Sequence, residues 1–270
     1  MPGIRARKGG KPIAMVTAYD FPSAAAAEEA GVDILLVGDS VANVVLGLER
    51  TLEVSMEMMV HHVRAVARAR REALLVADMP FLSFQGRPEE ALQNAGRLLQ
   101  AGADAVKLEG GHEVAETVAF LVERGVPVMA HIGLTPQKVH RFGGYRAQGK
   151  DLESARRLME EAHRLEEAGA FAIVLESIPA VLARVITRNL QIPTIGIGAG
   201  PDCDGQVLVF HDLLGWNYGH IPRFVRRYAN LREIIADALK KYVEDVRAGR
   251  FPGEEETYVR ADYTEAQLLS

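Results

Sequence analysis

The stretch AVKLEGG, residues 105–111, decides how the rest of the chain is interpreted. Lys107 and Glu109 interrupt an otherwise apolar run. Side chains alternate between the two faces of a β-strand, so residues 105, 107 and 109 share one face, and Val106 and Leu108 share the other. A buried strand would direct both charges into one enclosed space, where an unpaired charge is costly. The pattern therefore predicts a buried strand that ends at a polar site.

Seven further apolar runs with strand character accompany this one. The eight runs are Ile13–Asp20, Asp33–Ser40, Ala73–Met79, Ala105–Glu109, Val126–Leu134, Phe171–Ser177, Pro193–Ala199 and Gln206–Asp212. Segments with helical periodicity separate most of them, such as Pro88–Ala101, Glu113–Arg124 and Leu152–Ala168. Strands that alternate with helices predict a parallel sheet, and eight such units predict its closure into a (β/α)8 TIM barrel.

The barrel is predicted to span about residues 13–215 within a single domain covering 1–270. Residues 200–205 leave little room for a full helix between the last two strands. Residues 216–270 are predicted to add helices at Arg223–Tyr228 and Leu231–Val246, followed by a polar tail.

The composition is that of an enzyme-sized domain without a membrane or nucleic-acid partner. The 270 residues are 48% hydrophobic and carry a net charge of −5, so no global basic field attracts nucleic acid. Cys203 is the only cysteine, which excludes an intramolecular disulfide and a cysteine metal cluster and favours a reducing compartment. No run approaches the ~20 apolar residues of a transmembrane helix, and residues 1–11 do not resemble a secretory signal. We expect a cytoplasmic protein.

Titratable residues stand at the ends of five predicted strands. They are Asp39, Asp78, Glu109, His131 and Glu176. In a barrel, these strand ends form the mouth on which active sites are built. Like charges ~4 Å apart repel by about 4 kcal/mol at an effective dielectric near 20, so a divalent cation is expected among the carboxylates.

The expected ligands are all oxygen atoms, which favours Mg²⁺ and leaves Mn²⁺ or Ca²⁺ open. We predict Asp39 and Asp78 as direct ligands, Glu109 as a ligand through water, and Lys107 as a group that meets an anionic substrate.

Structural interpretations compete with these functional ones. Asp39 and Asp78 could each be a turn former or helix cap, and Lys107 with Glu109 could be a buried ion pair. His131 could be structural, and His211-Asp212 is interpreted as a structural pair on the eighth strand. The glycines of 195–200 are interpreted as permitting close approach to a ligand.

Several motifs in register resemble one enzyme family over about residues 13–242. They are TAYD (17–20), VGDS (37–40), DMPF (78–81), VKLEGG (106–111), HIGLTPQ (131–137), FGGY (142–145), IGIGAG (195–200) and DGQ (204–206). Together they closely resemble the ketopantoate hydroxymethyltransferase (3-methyl-2-oxobutanoate hydroxymethyltransferase) family. The resemblance implies a barrel of the phosphoenolpyruvate mutase/isocitrate lyase superfamily and a cytoplasmic homodecamer active in pantothenate synthesis. It also implies one Mg²⁺ per subunit and 5,10-methylenetetrahydrofolate as co-substrate.

The resemblance also implies residue roles. Asp39, Asp78 and Glu109 would form the metal site, while Asp39, Ser40, Asp78 and Lys107 would bind substrate. Glu176 would take the proton that yields a metal-stabilised enolate. His131 and the loop 135–150 are candidates for orienting the folate donor and excluding water.

Two other functions remain open. One is a C–C lyase of the same superfamily, many of which use a loop cysteine. The other is a non-catalytic barrel that binds a 2-oxo acid or serves as a scaffold.

Overall fold

The structure, a computed structural model, describes residues 2–139, 144, 146–219, 221–258 and 261–270. Eight parallel strands pair in chain order and close into a barrel, as predicted. The strands are β1 Ile13–Thr17, β2 Ile34–Val37, β3 Leu74–Asp78, β4 Ala105–Glu109, β5 Val128–Gly133, β6 Ala172–Glu176, β7 Thr194–Ile197 and β8 Gly205–Leu208.

Helices surround the barrel. Those of the described residues are α1 Pro2–Arg5, α2 Phe21–Glu29, α3 Val41–Val44, α4 Met56–Ala69, α5 Pro88–Gln100, α6 Ala115–Glu123, α7 Leu152–Glu167, α8 Ala180–Asn189, α9 Phe210–Leu213, α10 Leu231–Arg247 and α11 Glu265–Leu269. Single 3-10 turns form at Thr51–Glu53, His112–Val114 and Pro136–Lys138. The Gly residues that follow α2 and α5, Gly31 and Gly102, have positive φ and close the helix ends.

The inside of the barrel holds its own apolar cluster, distinct from the larger core between strands and helices. Ala105, Val76, Met129 and Val174 belong to the inner cluster. Since side chains two residues apart share a face, the residues at 78, 107, 109, 131 and 176 point to the same interior. The alternation predicted for residues 105–109 is therefore confirmed.

Two predictions near the C-terminus are wrong. Strand β8 ends at Leu208, and His211-Asp212 lies in the short helix α9 rather than on a strand. The backbone N–H of Phe210 donates to Thr17 Oγ1 at 2.9 Å, which turns the chain off the barrel before His211. His211 instead stacks on Trp216, with ring centroids 5.1 Å apart.

The second wrong prediction is the helix at Arg223–Tyr228, where the structure has turns. The N–H of Tyr228 donates to Leu213 O at 2.8 Å, so the backbone satisfies its hydrogen bonds against a neighbouring segment. The following helix, predicted as Leu231–Val246, is confirmed as α10, which buries none of its residues. Chain 198–204 joins β7 to β8 without a helix, as its length predicted.

Among the described residues, no helix combines the length and apolarity that crossing a membrane requires. The division into one barrel domain with a C-terminal extension stays a prediction.

Candidate active site

An ion pair between neighbouring strands lies at the centre of the site. Asp78 ends β3 and pairs directly in register with Lys107 of β4. Lys107 Nζ lies 3.0 Å from Asp78 Oδ1, and each side chain is only 5% exposed. Burial alone would lower the pKa of Lys107, but the carboxylates of Asp78, Glu109 and Asp39 raise it above its ordinary value. Lys107 is therefore held in its charged form.

Asp39 lies two residues beyond the end of β2, in contact with this pair. Its backbone N–H donates to Asp78 Oδ2 at 3.0 Å, and its own Oδ2 accepts from Gln137 Nε2 at 2.9 Å. Burial, followed by the charge of Asp78, raises the pKa of Asp39 to about 7. The next residue, Ser40, has its Oγ 2.8 Å from the hydroxyl of Tyr19, which is fully buried. Two neighbouring carboxylates and a hydroxyl thus share one corner of the barrel mouth.

Glu109 ends β4 two residues beyond Lys107 and is buried. Its Oε2 accepts the backbone N–H of Gln137 at 3.0 Å. Burial, followed by the charge of Asp39, raises the pKa of Glu109 well above its ordinary value. The site therefore gathers three buried carboxyl groups around a single lysine, and burial together with their mutual repulsion disfavours ionising all three at once.

His131 connects the lysine to the predicted base. Lys107 Nζ lies 3.1 Å from His131 Nδ1, and His131 Nε2 lies 3.3 Å from Glu176 Oε2. Burial and then the charge of Lys107 hold the pKa of His131 well below its ordinary value, so the ring is neutral. An ammonium only donates, so Nδ1 accepts and Nε2 carries the proton. Despite its distance of 3.3 Å from Glu176, Nε2 makes no hydrogen bond to any described residue. Burial raises the pKa of Glu176 itself to about 7.

The backbone around Glu176 is unusually crowded. Gly133 pairs with Glu176 in the β5–β6 ladder and has a φ of 94°. A Cβ at Gly133 would lie 2.2 Å from Glu176 O, far closer than a non-bonded carbon can approach an oxygen. Ser177, directly after Glu176, has a φ of 49°, a left-handed conformation that non-glycine residues rarely adopt. Such strain is concentrated at functional positions, and here it sets the direction in which the chain leaves the predicted base.

The donor set fits a hard divalent cation. Asp39, Asp78 and Glu109 are all buried, and Lys107 balances only one of them. The raised pKa values of Asp39 and Glu109 arise from burial and mutual repulsion, which a dication would relieve. In the described part of the chain, no three His, Cys, Asp or Glu side chains converge closely enough to hold an ion by themselves. The arrangement therefore suits Mg²⁺, which typically uses one or two carboxylates and completes its shell with other oxygens.

The structure brings all the predicted site residues together. Their predicted roles in binding and catalysis stay predictions. Sequence reasoning assigned no role to Tyr19 or Gln137, which are buried polar residues in contact with Ser40, Asp39 and Glu109. Both stand in quoted motifs, TAYD and HIGLTPQ, and that was the available signal.

Two loop predictions have different outcomes. Within the predicted lid 135–150, residues 140–143 and 145 lie outside the described residues, so most of FGGY is not described. The glycines after β7 permit close approach of neighbouring protein atoms, and their predicted approach to a ligand stays a prediction. A Cβ at Gly198 would lie 2.7 Å from Phe224 Cδ1, and one at Gly200 would lie 2.5 Å from Ala180 Cβ.

A closed parallel barrel whose strand ends gather buried carboxylates and a lysine defines a TIM-barrel enzyme. Solved structures with this fold include phosphonopyruvate hydrolase in complex with oxalate and Mg²⁺ (TM-score 0.61, 18% identity, covering 96% of this chain and 91% of that one). Another is 2,3-dimethylmalate lyase, a PEP mutase/isocitrate lyase superfamily member (TM-score 0.58, 16% identity, covering 99% and 93%). These likenesses confirm the predicted fold class.

The chain belongs to the ketopantoate hydroxymethyltransferase family, which it matches over residues 2–254. Its relatives include the 3-methyl-2-oxobutanoate hydroxymethyltransferase of Carboxydothermus hydrogenoformans, 56% identical over 94% of this chain and 93% of that protein. The enzyme of the same name from Thermotoga maritima is 55% identical over 94% of each chain. The resemblance drawn from the motifs is confirmed, and the chain is an enzyme of this transferase family.

Proposed function

We propose that this enzyme transfers a hydroxymethyl group from 5,10-methylenetetrahydrofolate to 3-methyl-2-oxobutanoate, forming 2-dehydropantoate, in the first step of pantothenate synthesis. The main observation in support of this proposal is that the buried carboxyl groups of Asp39, Asp78 and Glu109 surround Lys107. Glu176 lies on the other side of His131 from Lys107. The names of the close relatives support the same reaction.

Binding of the 2-oxo acid requires a positive surface at the barrel mouth. Lys107 supplies one charge, and its long side chain lies between Asp78 and His131, from which it can turn to a substrate carboxylate. Asp39, Asp78 and Glu109 would hold Mg²⁺, with Glu109 acting through water. When bound, Mg²⁺ would supply Lewis-acid chemistry by drawing negative charge from the keto group. The hydroxyl of Ser40, oriented by Tyr19, would donate to the substrate carboxylate.

Glu176 is the proposed base. Its pKa of about 7 makes it more basic than an ordinary glutamate while leaving it largely ionised in mildly alkaline solution. It would take the proton from C3 of the 2-oxo acid, leaving an enolate. The enolate carbon then forms a C–C bond to the methylene carbon of the folate, whose two C–N bonds break. A water molecule supplies the hydroxyl oxygen, and tetrahydrofolate leaves with the proton from C3 and one proton from that water. The neutral His131 lies beside Glu176, with Nε2 3.3 Å from Oε2, and so adds no charge next to the base.

The environment of Cys203 argues against the alternative function, a C–C lyase of the same superfamily. Burial raises the pKa of its thiol, so it is not an activated thiolate, and its Sγ lies beside Gly196 of β7. A cysteine-dependent C–C cleavage at the mouth would need an exposed, acidic thiol.

Hydrogen–deuterium exchange tests the central step without the folate. The full-length enzyme, 3-methyl-2-oxobutanoate and Mg²⁺ are incubated in D₂O, and loss of the C3 proton is followed by NMR. We expect exchange by the wild type and none by Glu176→Gln. Product formation with the folate, measured beside an isocitrate-type cleavage assay, separates transferase from lyase. Binding of the 2-oxo acid by the wild type with neither exchange nor turnover would identify a binding protein instead.

Two further proposals come from the family. We propose a cytoplasmic homodecamer, without a nucleic-acid or membrane partner. The apolar residues Ile234, Leu239 and Tyr242 of α10 are each more than half exposed, which supports association between copies. Sedimentation velocity of the purified chain tests the assembly.

A further inference from the structure

Gln137 is a buried polar residue that the proposed reaction does not use. It lies in the single 3-10 turn Pro136–Lys138, which follows β5. Its side chain is neutral and has only 4% of its surface exposed, yet it lies among carboxylates at the barrel mouth. Buried amides need hydrogen-bond partners, so its contacts identify what it does there.

Every hydrogen-bonding group of the side-chain amide is directed at another strand end or loop. Nε2 donates to Asp39 Oδ2 at 2.9 Å and to Met79 O at 3.0 Å. Oε1 accepts from Gln85 Nε2 at 3.0 Å, which fixes which end of the amide faces the carboxylate. The backbone N–H of the same residue donates to Glu109 Oε2 at 3.0 Å. One residue therefore joins the chain after β5 to the ends of β2, β3 and β4.

We infer that Gln137 is a positioning residue that holds the Asp39 and Glu109 carboxylates in the orientation a divalent cation requires. Its hydrogen bonds take one oxygen of each carboxylate and thereby fix the direction of the second. This inference rests on the proposed cation site. It deepens that proposal by connecting the chain after β5, where a lid is predicted, to the cation ligands.

The chemistry of the amide explains why this position suits glutamine. Two N–H donors are needed for Asp39 and Met79, and one acceptor is needed for Gln85. A glutamate would lose both donors and place another negative charge beside Asp39. A methionine would fill the same space without hydrogen bonds. Outer partners of metal ligands typically change metal affinity by about 10- to 100-fold when they are replaced.

The experiment measures cation binding directly, in the absence of substrates. Mn²⁺ is titrated into the metal-free, full-length wild type, Gln137→Met and Gln137→Glu, and free Mn²⁺ is followed by electron paramagnetic resonance. We expect about 10- to 100-fold weaker binding by the methionine variant and a larger loss for the glutamate variant. Saturating Mg²⁺ should restore much of kcat in Gln137→Met, whereas a damaged fold would not be rescued. The same two substitutions at Gln93, exposed on α5, are the matched controls and should bind as the wild type does.

A milder variant covers the case in which position 137 cannot be changed without unfolding. Gln85 is exposed, and Gln85→Ala removes the contact that orients the Gln137 amide, together with a longer hydrogen bond of 3.4 Å from the backbone N–H of Phe84. It should weaken Mn²⁺ binding in the same direction but less.

Three results decide between the hypotheses. If Gln137→Met folds and binds Mn²⁺ as tightly as the wild type does, the positioning role of Gln137 is overturned. If Gln137→Met does not fold, an unchanged Mn²⁺ affinity of Gln85→Ala overturns that role instead. Either result leaves the proposed reaction standing. A wild type that transfers hydroxymethyl groups without binding Mn²⁺ or Mg²⁺ overturns both this inference and the cation site. Weaker Mn²⁺ binding by the variant, with no transferase activity in the wild type, supports the positioning role and rejects the proposed reaction.

Discussion

Replacing Asp39 by asparagine should stabilise the cation-free protein. Asparagine keeps the shape of the side chain and an oxygen that accepts from Gln137, but it removes the charge that faces Asp78. The pKa of Asp39 rises from 3.8 to about 7, a difference of about 3 units. At 1.36 kcal/mol per unit, the ionised carboxylate costs the folded state up to about 4 kcal/mol. Water entry and side-chain relaxation reduce this value, so it is an upper limit.

The stability gain of Asp39→Asn should depend on pH, and the raised pKa of Asp39 determines in which direction. The folded carboxyl group binds its proton more tightly than the unfolded one, so this group favours folding at low pH and ceases to do so as the pH rises through about 7. The advantage of Asp39→Asn should therefore be full above pH ~7 and shrink as the pH falls toward 4. Near pH 8, a gain of up to about 4 kcal/mol corresponds to a melting temperature up to about 8 °C higher.

Thermal unfolding in EDTA at several pH values measures this gain. Asp262→Asn, an exposed aspartate of the C-terminal tail, is the control for loss of a carboxylate and should not change the melting temperature. Added Mg²⁺ should stabilise the wild type but not Asp39→Asn. The difference in melting temperature between the two proteins should therefore become smaller or change sign. A melting temperature for Asp39→Asn equal to or below that of the wild type at pH 8 would refute the reasoning, and so would a gain that persists unchanged at low pH.

Three further predictions concern the neighbouring groups. Glu176→Gln should lower kcat by about 10²- to 10⁴-fold while the dissociation constant of the 2-oxo acid, measured by calorimetry, stays close to that of the wild type. The rate of the wild type should rise with pH to a plateau with a midpoint near 7, because Glu176 acts only when ionised, and a flat profile in steady-state assays would contradict this. Lys107→Met should destabilise the protein by about 3–5 kcal/mol in denaturant titrations at pH 8, since Asp78 loses its buried partner.

The strands could be predicted because each is a short apolar run, and most of the runs carry a titratable residue near the end. Their limits could not, because local hydrogen bonds end them. The predicted first strand continued to Asp20, but β1 ends at Thr17, since the Asp20 side chain accepts from the backbone N–H of Ser23 and caps α2. Such capping and the contact that ends β8 depend on which segments meet in space.

The charged residues of the candidate site could be predicted from the sequence, whereas the roles of its neutral residues could not. Lys107, Glu109 and Glu176 are conspicuous because charge is expensive inside an apolar strand. Gln137 and Tyr19 carry no charge, and their partners come from other strand ends many residues away. Only the closed barrel brings these groups together, so periodicity along the chain contains no signal for them.

Gly133 has a consequence for any attempt to evolve or redesign this enzyme. The carbonyl of Glu176 occupies the volume in which a methyl group at position 133 would lie. Even alanine would force the backbone of the sixth strand to shift at Glu176, the proposed base. Mutational libraries should therefore show position 133 as intolerant as the charged residues themselves, although it bears no reactive atom.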